Sequence, residues 1–311
     1  MERIVIAVGG NSLLKESERQ TVANQMKAVW ETAFHIAGAA ASGNEIVVTH
    51  GNGPQVGLLM RRSELSKAEI PETTLDYAVA ETQGGIGYQI QQALAEELRR
   101  HGINKNVVTV VTQVEVSSSD PAFKNPTKPI GSFMDEKTAK DFALLNGWKI
   151  TEDSGRGWRR VVASPQPVSI IEKDVIKLLL QEGVLVIACG GGGVPVQKTD
   201  EGLVGIEAVI DKDRASAVLA GEIRADTLLI STAVPKVCLN YKKPNEKSLD
   251  KITLEQAKKY MEEGHFAKGS MGPKIEASIL FLEKGGKRTI ITEPTYITKA
   301  LKNEAGTIIT R

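Results

Sequence analysis

Cysteine, histidine and aromatic side chains are scarce in this chain. Its 311 residues include 2 cysteines, 4 histidines and 5% aromatics. Cys189 and Cys238 both fall in apolar, β-like stretches, so two buried thiols are expected rather than a disulfide. The histidines are scattered, which gives a zinc site no support. Excess charge is also lacking. With 39 basic and 38 acidic residues the formal net charge is +1, and no whole-chain field points to nucleic acid or an anionic membrane. No apolar run approaches the roughly 20 residues needed to span a bilayer. Met1-Glu2-Arg3 leads directly into an apolar strand, without the core of a signal peptide, so the cytoplasm is the expected location. A Gly-x-x-x-x-Gly-Lys-Ser/Thr loop is absent. Gly84-Gly85-Ile86-Gly87 lies inside a helical pattern and suits helix packing better than a dinucleotide turn.

Short β-branched runs alternating with longer helical patterns are what the chain does have. Strands are expected at residues 3–8, 45–49, 106–112, 184–188, 227–231, 236–239, 287–292 and 307–310. Helical spacing covers 21–42, 75–101, 170–181, 254–263 and a stretch opened by Gly269-Ser270-Met271-Gly272-Pro273-Lys274. Another helix-like stretch follows Asp211-Lys212-Asp213. The repeated order of strand, glycine-rich loop and helix predicts an α/β fold with a mostly parallel sheet covered on both faces. Ligands then collect at the carboxyl ends of the strands. Between Ser117 and about Arg160, prolines and glycines punctuate the chain densely. This reads as an inserted flap with short strands, because so long a loop without a function is unusual.

Three glycine clusters follow strands: Gly9-Gly10-Asn11, Gly51-Asn52-Gly53 and Gly190 to Gly193. Glycine lets backbone N–H groups approach an anion, and helix N-termini beyond add partial positive charge. Tight turns also need glycine, so the signal lies in three loops at equivalent strand ends. Phosphoryl transfer further needs positive charge around the moving group. Lys128 leaves a stiff Pro126-Thr127-Lys128-Pro129 loop on the expected flap. Lys212 lies between two carboxylates expected to hold its ammonium. Lys274 stands at a helix N-terminus, where a cation is disfavoured unless an anion is present.

Several segments resemble the carbamate kinase family, in order and spacing, over nearly the whole chain. They are AVGGN (7–11), HGNGPQVG (50–57), residues 82–88, DPAFKNPTKPIG (120–131), RGWRRVV (156–162), GGGGVPV (190–196), EAVIDKDRAS (207–216) and GSMGPKIEA (269–277). That family belongs to the wider amino acid kinase superfamily. The resemblance implies a three-layer αβα sandwich with an open, mainly parallel eight-stranded sheet. It implies one domain over 1–311, with a protruding subdomain at 118–160, and a homodimer. The implied reaction converts ATP and carbamate to ADP and carbamoyl phosphate, and is often run backwards to make ATP in arginine or other nitrogen catabolism. Mg²⁺ would be carried by the nucleotide phosphates.

The resemblance also implies roles for residues. Lys128, Lys212, Asp213 and Lys274 are the catalytic set, with Asp213 orienting Lys212 and Lys274. Gly9, Gly10, Asn11, Gly51, Asn52, Gly53, Gly191 and Gly192 bind the small substrate and the transferring phosphoryl group. Thr232, Val237, Asn240, Tyr241 and Met271, with Lys212, Asp213 and Lys274, serve the nucleotide. Many relatives carry lysine where this chain has Ala7, which leaves Lys212 as the supplier of that charge. Ala163 and Ser132 stand where proline is expected, and Ala233 and Lys242 where glycine is common. Carbamate is already an anion, so no general base is required, and His50 reads as a loop-ordering side chain. Two alternatives share these features: a kinase for another small acid, and a nucleotide sensor without activity.

Overall fold

The computed structural model describes residues 1–9, 13, 21–153, 155–267 and 269–311; Gly10 and Asn11 therefore lie outside the described residues. The first strand, β1 (Arg3–Val8), is followed by α1 (Val22–Ala40), β2 (Glu45–His50), α2 (Gly53–Ser66), α3 (Leu75–Arg100), β3 (Val107–Thr109) and β4 (Gln113–Val116). Next come β5 (Lys128–Met134), α4 (Glu136–Asn146), β6 (Lys149–Glu152), β7 (Trp158–Val162) and β8 (Pro167–Ile170). The chain continues through α5 (Lys173–Gln181), β9 (Leu185–Ile187), β10 (Val194–Thr199), β11 (Gly202–Gly205), α6 (Lys212–Glu222) and β12 (Thr227–Ser231). It ends with β13 (Cys238–Leu239), β14 (Lys247–Ser248), β15 (Lys251–Thr253), α7 (Leu254–Glu262), α8 (Met271–Glu283), β16 (Arg288–Thr292), α9 (Ile297–Leu301) and β17 (Thr307–Thr310).

The main sheet has eight strands in the order β15-β17-β16-β12-β1-β2-β9-β3. Its pairings are parallel except where β16 meets β17. Side-chain alternation builds a core on each face. Val5, Ala7, Val47 and Val186 join apolar residues of α5, α6, α7 and α8. Ile4, Ile6, Val8, Ile46 and Val48 join those of α1, α3 and α9. The result is a helix–sheet–helix sandwich. No helix among the described residues is long and apolar enough to cross a membrane.

Local chemistry sets several element ends. Asp211 caps α6 by accepting from the N–H groups of Asp213 and Arg214. Thr253 and Gln256 form a reciprocal capping box on α7. By contrast, α2 starts with Gly53-Pro54 and has no side-chain cap.

Three expected elements come out differently. The strand expected over 106–112 ends at Thr109, because the chain crosses to a second sheet, β11-β10-β4-β8. Gln83 holds the crossing point, accepting from the Thr112 N–H at 2.8 Å and donating to its carbonyl at 3.0 Å. The helix expected from 170 starts at Lys173, since Ile170 belongs to β8 and its N–H donates to the Glu222 carboxylate. The strand expected over 236–239 is only the two-residue β13, hairpin-paired to β14 away from the main sheet.

Between β4 and β8 the chain builds a separate three-stranded sheet, β5-β7-β6, with α4 alongside β6 and β7. Ile130 and Val162 at its base join Val56, Met60, Leu75, Val79 and Val194 in a small satellite core.

Candidate active site

The ends of β1, β2, β9 and β12 line the carboxyl edge of the main sheet. A Cβ added to Gly9 would lie 3.0 Å from the Ser231 carbonyl oxygen, so these two strand ends come close together. The hydroxyl of Ser231 is buried there without a hydrogen-bond partner among the described residues, as is the side-chain oxygen of Gln55 in the first turn of α2.

Glycines of the second and third loops are packing devices. The Gly51 N–H is committed to the Val8 carbonyl, that of Gly192 to Cys189 and that of Gly193 to Gly190. An added Cβ at Gly191, where φ is +70°, would lie 2.1 Å from the Asn52 side chain. At Gly192, with φ +95°, it would lie 2.2 Å from the Ile210 carbonyl oxygen. At Gly190 it would strike the His50 ring. The bare amides that the sequence suggested in this loop are therefore partly occupied. Gly53 differs, for nothing lies within 4 Å of its added Cβ. Its N–H and that of Gln55 belong to the uncapped first turn of α2 and have no partner among the described residues. Asn52, at the N-cap position, is buried and donates to the Thr82 hydroxyl at 2.8 Å.

Lys212 and Lys274 converge on one carboxylate. Lys212 Nζ lies 2.6 Å from Asp213 Oδ1, and Lys274 Nζ lies 3.2 Å from Asp213 Oδ2. Asp213 is 3% exposed. Burial is the strongest single influence on its carboxyl and pushes the pKa up, but the two ammonium groups together hold it below the usual value. Lys212 opens α6, and its carbonyl accepts from the Ser216 hydroxyl, which also contacts Thr49 Oγ1 of β2 at 2.6 Å. The helix carrying two members of the trio is thus fastened to β2, the strand that leads into Gly51.

Lys128 begins β5 and reaches the main body at Asp211 Oδ2, 3.2 Å away. The expectation that both flanking carboxylates hold Lys212 is corrected here. Asp211 serves the α6 cap and Lys128 instead. Its part was legible in principle, because aspartate immediately before a helix is a capping signal. His50 is 1% exposed, and its Nδ1 donates to the Gly51 carbonyl at 2.9 Å.

The residues expected around the nucleotide are placed unequally. Thr232 follows β12, and its N–H donates to Thr292 O. Met271 is the first residue of α8, on the same helix as Lys274. Asn240 and Lys242 both have positive φ, 53° and 61°. Lys242 thus adopts at some strain the conformation for which glycine is common, held by its N–H on the Glu246 carboxylate at 2.7 Å. Tyr241 is exposed. Val237 is fully buried in the core and presents no side-chain surface to a ligand. Its N–H donates to Thr307 Oγ1.

Comparison with known proteins brings the same picture from another direction. The model of the amino acid kinase family matches residues 2–293. The chain is 51% identical to the carbamate kinase-like protein YahI of Escherichia coli, covering 99% of this chain and 98% of that one. It is 49% identical to the carbamate kinase of Thermococcus kodakarensis, covering 100% of both. Among solved structures, carbamate kinase from Giardia lamblia bound to AMP-PNP superposes with a TM-score of 0.94 at 42% identity, over 99% of this chain and 98% of that one.

Proposed function

Since the chain belongs to the amino acid kinase family, we propose that it transfers a phosphoryl group reversibly between ATP and carbamate, giving ADP and carbamoyl phosphate. The observation carrying this reading is the pair of ammonium groups, Lys212 and Lys274, held by one buried carboxylate at the carboxyl edge of the sheet. The end-to-end likeness to a carbamate kinase supports the choice of substrate.

In the ATP-forming direction the bond between phosphorus and the carbamoyl oxygen breaks. A bond from phosphorus to a terminal oxygen of ADP forms. Lys212 and Lys274 neutralise charge on the equatorial and bridging oxygens, and Asp213 keeps both ammonium groups aimed without reorganisation. The uncapped start of α2, with Gly53 and Asn52, receives the small acid, together with Gly9, Gly10, Asn11 and Gly51. The 128–162 sheet acts as the flap, bringing Lys128 to the phosphoryl group. Carbamate leaves as an anion in this direction and attacks as one in the reverse, so positioning replaces a general base. His50 keeps the proton on Nδ1, where the Gly51 carbonyl binds it.

The nucleotide lies along the C-terminal half, near Thr232, Asn240, Tyr241 and Met271. Its Mg²⁺ enters as part of the substrate, bound to the phosphates. The lysines suit the anionic side of that complex. Exposed aromatic residues on α1 and α3 (Phe34, Tyr77 and Tyr88) support self-association as a homodimer. The free thiols Cys189 and Cys238 suit the cytoplasm.

The test is ATP formation by the purified chain from ADP, Mg²⁺ and carbamoyl phosphate, coupled to a second enzyme that reports ATP. Turnover is expected, with acetyl phosphate a much poorer donor. No ATP formation, or equal use of both donors, would overturn the substrate assignment.

A further inference from the structure

RGWRRVV (156–162) carried part of the family resemblance but has no part in the reaction described above. It meets the EAVIDKDRAS segment (207–216), which leads into the catalytic helix. Arg160 sits on β7 opposite Ile130 of β5, in the same pairing that sets Lys128 against Val162. Its guanidinium lies over the Trp148 ring, 4.9 Å from the centroid, and pairs with the Glu207 carboxylate. The Arg160 side chain is only 15% exposed, whereas that of Glu207 is 56% exposed.

Backbone bonds continue the join. Ala163 forms a parallel bridge to Ala208, and the Val209 N–H donates to the Ala163 carbonyl at 3.0 Å. The Ile210 carbonyl then packs on Gly192, and Asp211 accepts Lys128 while capping α6. Both long strands of the flap are therefore rooted in one short run of chain that ends at Lys212 and Asp213.

We propose that Arg160 and Glu207 form a positioning pair that latches the flap root to the catalytic helix and so sets the reach of Lys128. An exposed ion pair contributes little to stability by itself. Here the planar guanidinium is fixed on one side by an indole face and on another by a carboxylate, which restricts direction as well as distance. The latch rests on the phosphoryl-transfer reading for its consequence, but its mechanical part can be read without substrate.

The variant is Glu207→Gln in the full chain, chosen because Glu207 is the exposed partner and its loss leaves the fold intact. Hydrogen exchange of the 128–162 and 207–211 segments is followed first, with no ligand present. Exchange is expected to rise about tenfold at Val209 and along β7, with Tm unchanged within about 2 °C. Kinetics follow in a cycle with Lys128→Ala. Glu207→Gln alone is expected to raise KM for carbamoyl phosphate about fivefold and leave KM for ADP unchanged, and to add nothing once Lys128 is alanine. Unchanged exchange, or effects that add fully to those of Lys128→Ala, would overturn the latch. Faster exchange in a chain whose wild type does not use carbamoyl phosphate would keep the latch and remove the carbamate reading instead.

Discussion

Asp213 and Lys274 are separated by 61 positions in sequence and by 3.2 Å in space. Lys212 reaches the other oxygen of the same carboxylate at 2.6 Å. The arrangement joins the start of α6 to the start of α8, so that two ammonium groups share one buried counter-charge. Two cations held this way favour an additional anion, since one carboxylate does not neutralise both. Replacing either Lys212 or Lys274 by alanine is expected to lower kcat at least about 100-fold, the scale of losing a preorganised charge at the transition state. Asp213→Asn should lower activity too, but it should also destabilise the fold by about 3 kcal/mol, because it leaves two ammonium groups without their partner. Steady-state kinetics and denaturant melts of the three variants check this. Near-normal turnover in both lysine variants would remove the proposed mechanism.

The glycines separate packing from ligand approach. Gly192 has φ +95°, and its added Cβ would lie 2.2 Å from a backbone oxygen that cannot swing aside. Gly192→Ala is therefore expected to cost about 2–3 kcal/mol of stability and to displace Ile210, next to Asp211. Gly53 has open space around its added Cβ and begins a helix whose first amides lack a cap. Gly53→Ala should leave the melt unchanged and raise KM for carbamoyl phosphate several-fold, because a methyl group stands where the ligand approaches the amides. If Gly53→Ala changes Tm but not KM, the helix start is not the anion seat.

Much of this architecture was legible in the sequence because the main strands are buried on both faces. Val5 and Ala7 serve one core, Ile4 and Ile6 the other, and such continuous apolar runs read as parallel strands. The crossing at Thr112 was not legible, since a Gln83 side chain from a distant helix decides where β3 stops. The same holds for Ile170, whose N–H is held by Glu222 across 52 positions. Local apolar spacing is alike for a strand and a buried helix turn, and only tertiary partners separate them. In the cleft, residue types pointed to lysines and glycines, but the partition of Asp211 and Asp213 between different lysines depends on side-chain direction. Of the three glycines in the Gly84-Gly85-Ile86-Gly87 run, Gly87 packs closely, against Thr109, while Gly84 and Gly85 face open space; Ile86 is buried in the core.

His50 provides a test by pH. Burial is the main reason its pKa falls from 6.5 to about 4; the bond to the Gly51 carbonyl opposes the shift and the charge of Lys212 adds to it. The ring is therefore neutral in the folded chain at every pH where the enzyme is expected to work. Between pH 6.5 and 4 the unfolded chain binds a proton that the folded chain refuses, so folding stability falls as pH falls through this window. The contribution is complete above about pH 6.5 and amounts to about 3 kcal/mol, the free-energy equivalent of the shift. It is lost progressively on acidification, and no further loss from this group follows below about pH 4. Urea denaturation of the wild type and of His50→Asn at a series of pH values isolates the effect. The variant lacks the imidazole and its packing, which lowers its curve at all pH values, but it lacks the titration as well. The wild-type curve is expected to fall toward the variant's by about 3 kcal/mol between pH 7 and pH 4, whereas carboxylates titrate alike in both and cancel in the difference. Parallel curves would mean that His50 accepts a proton in the folded chain, and would return it to consideration as a group that moves one.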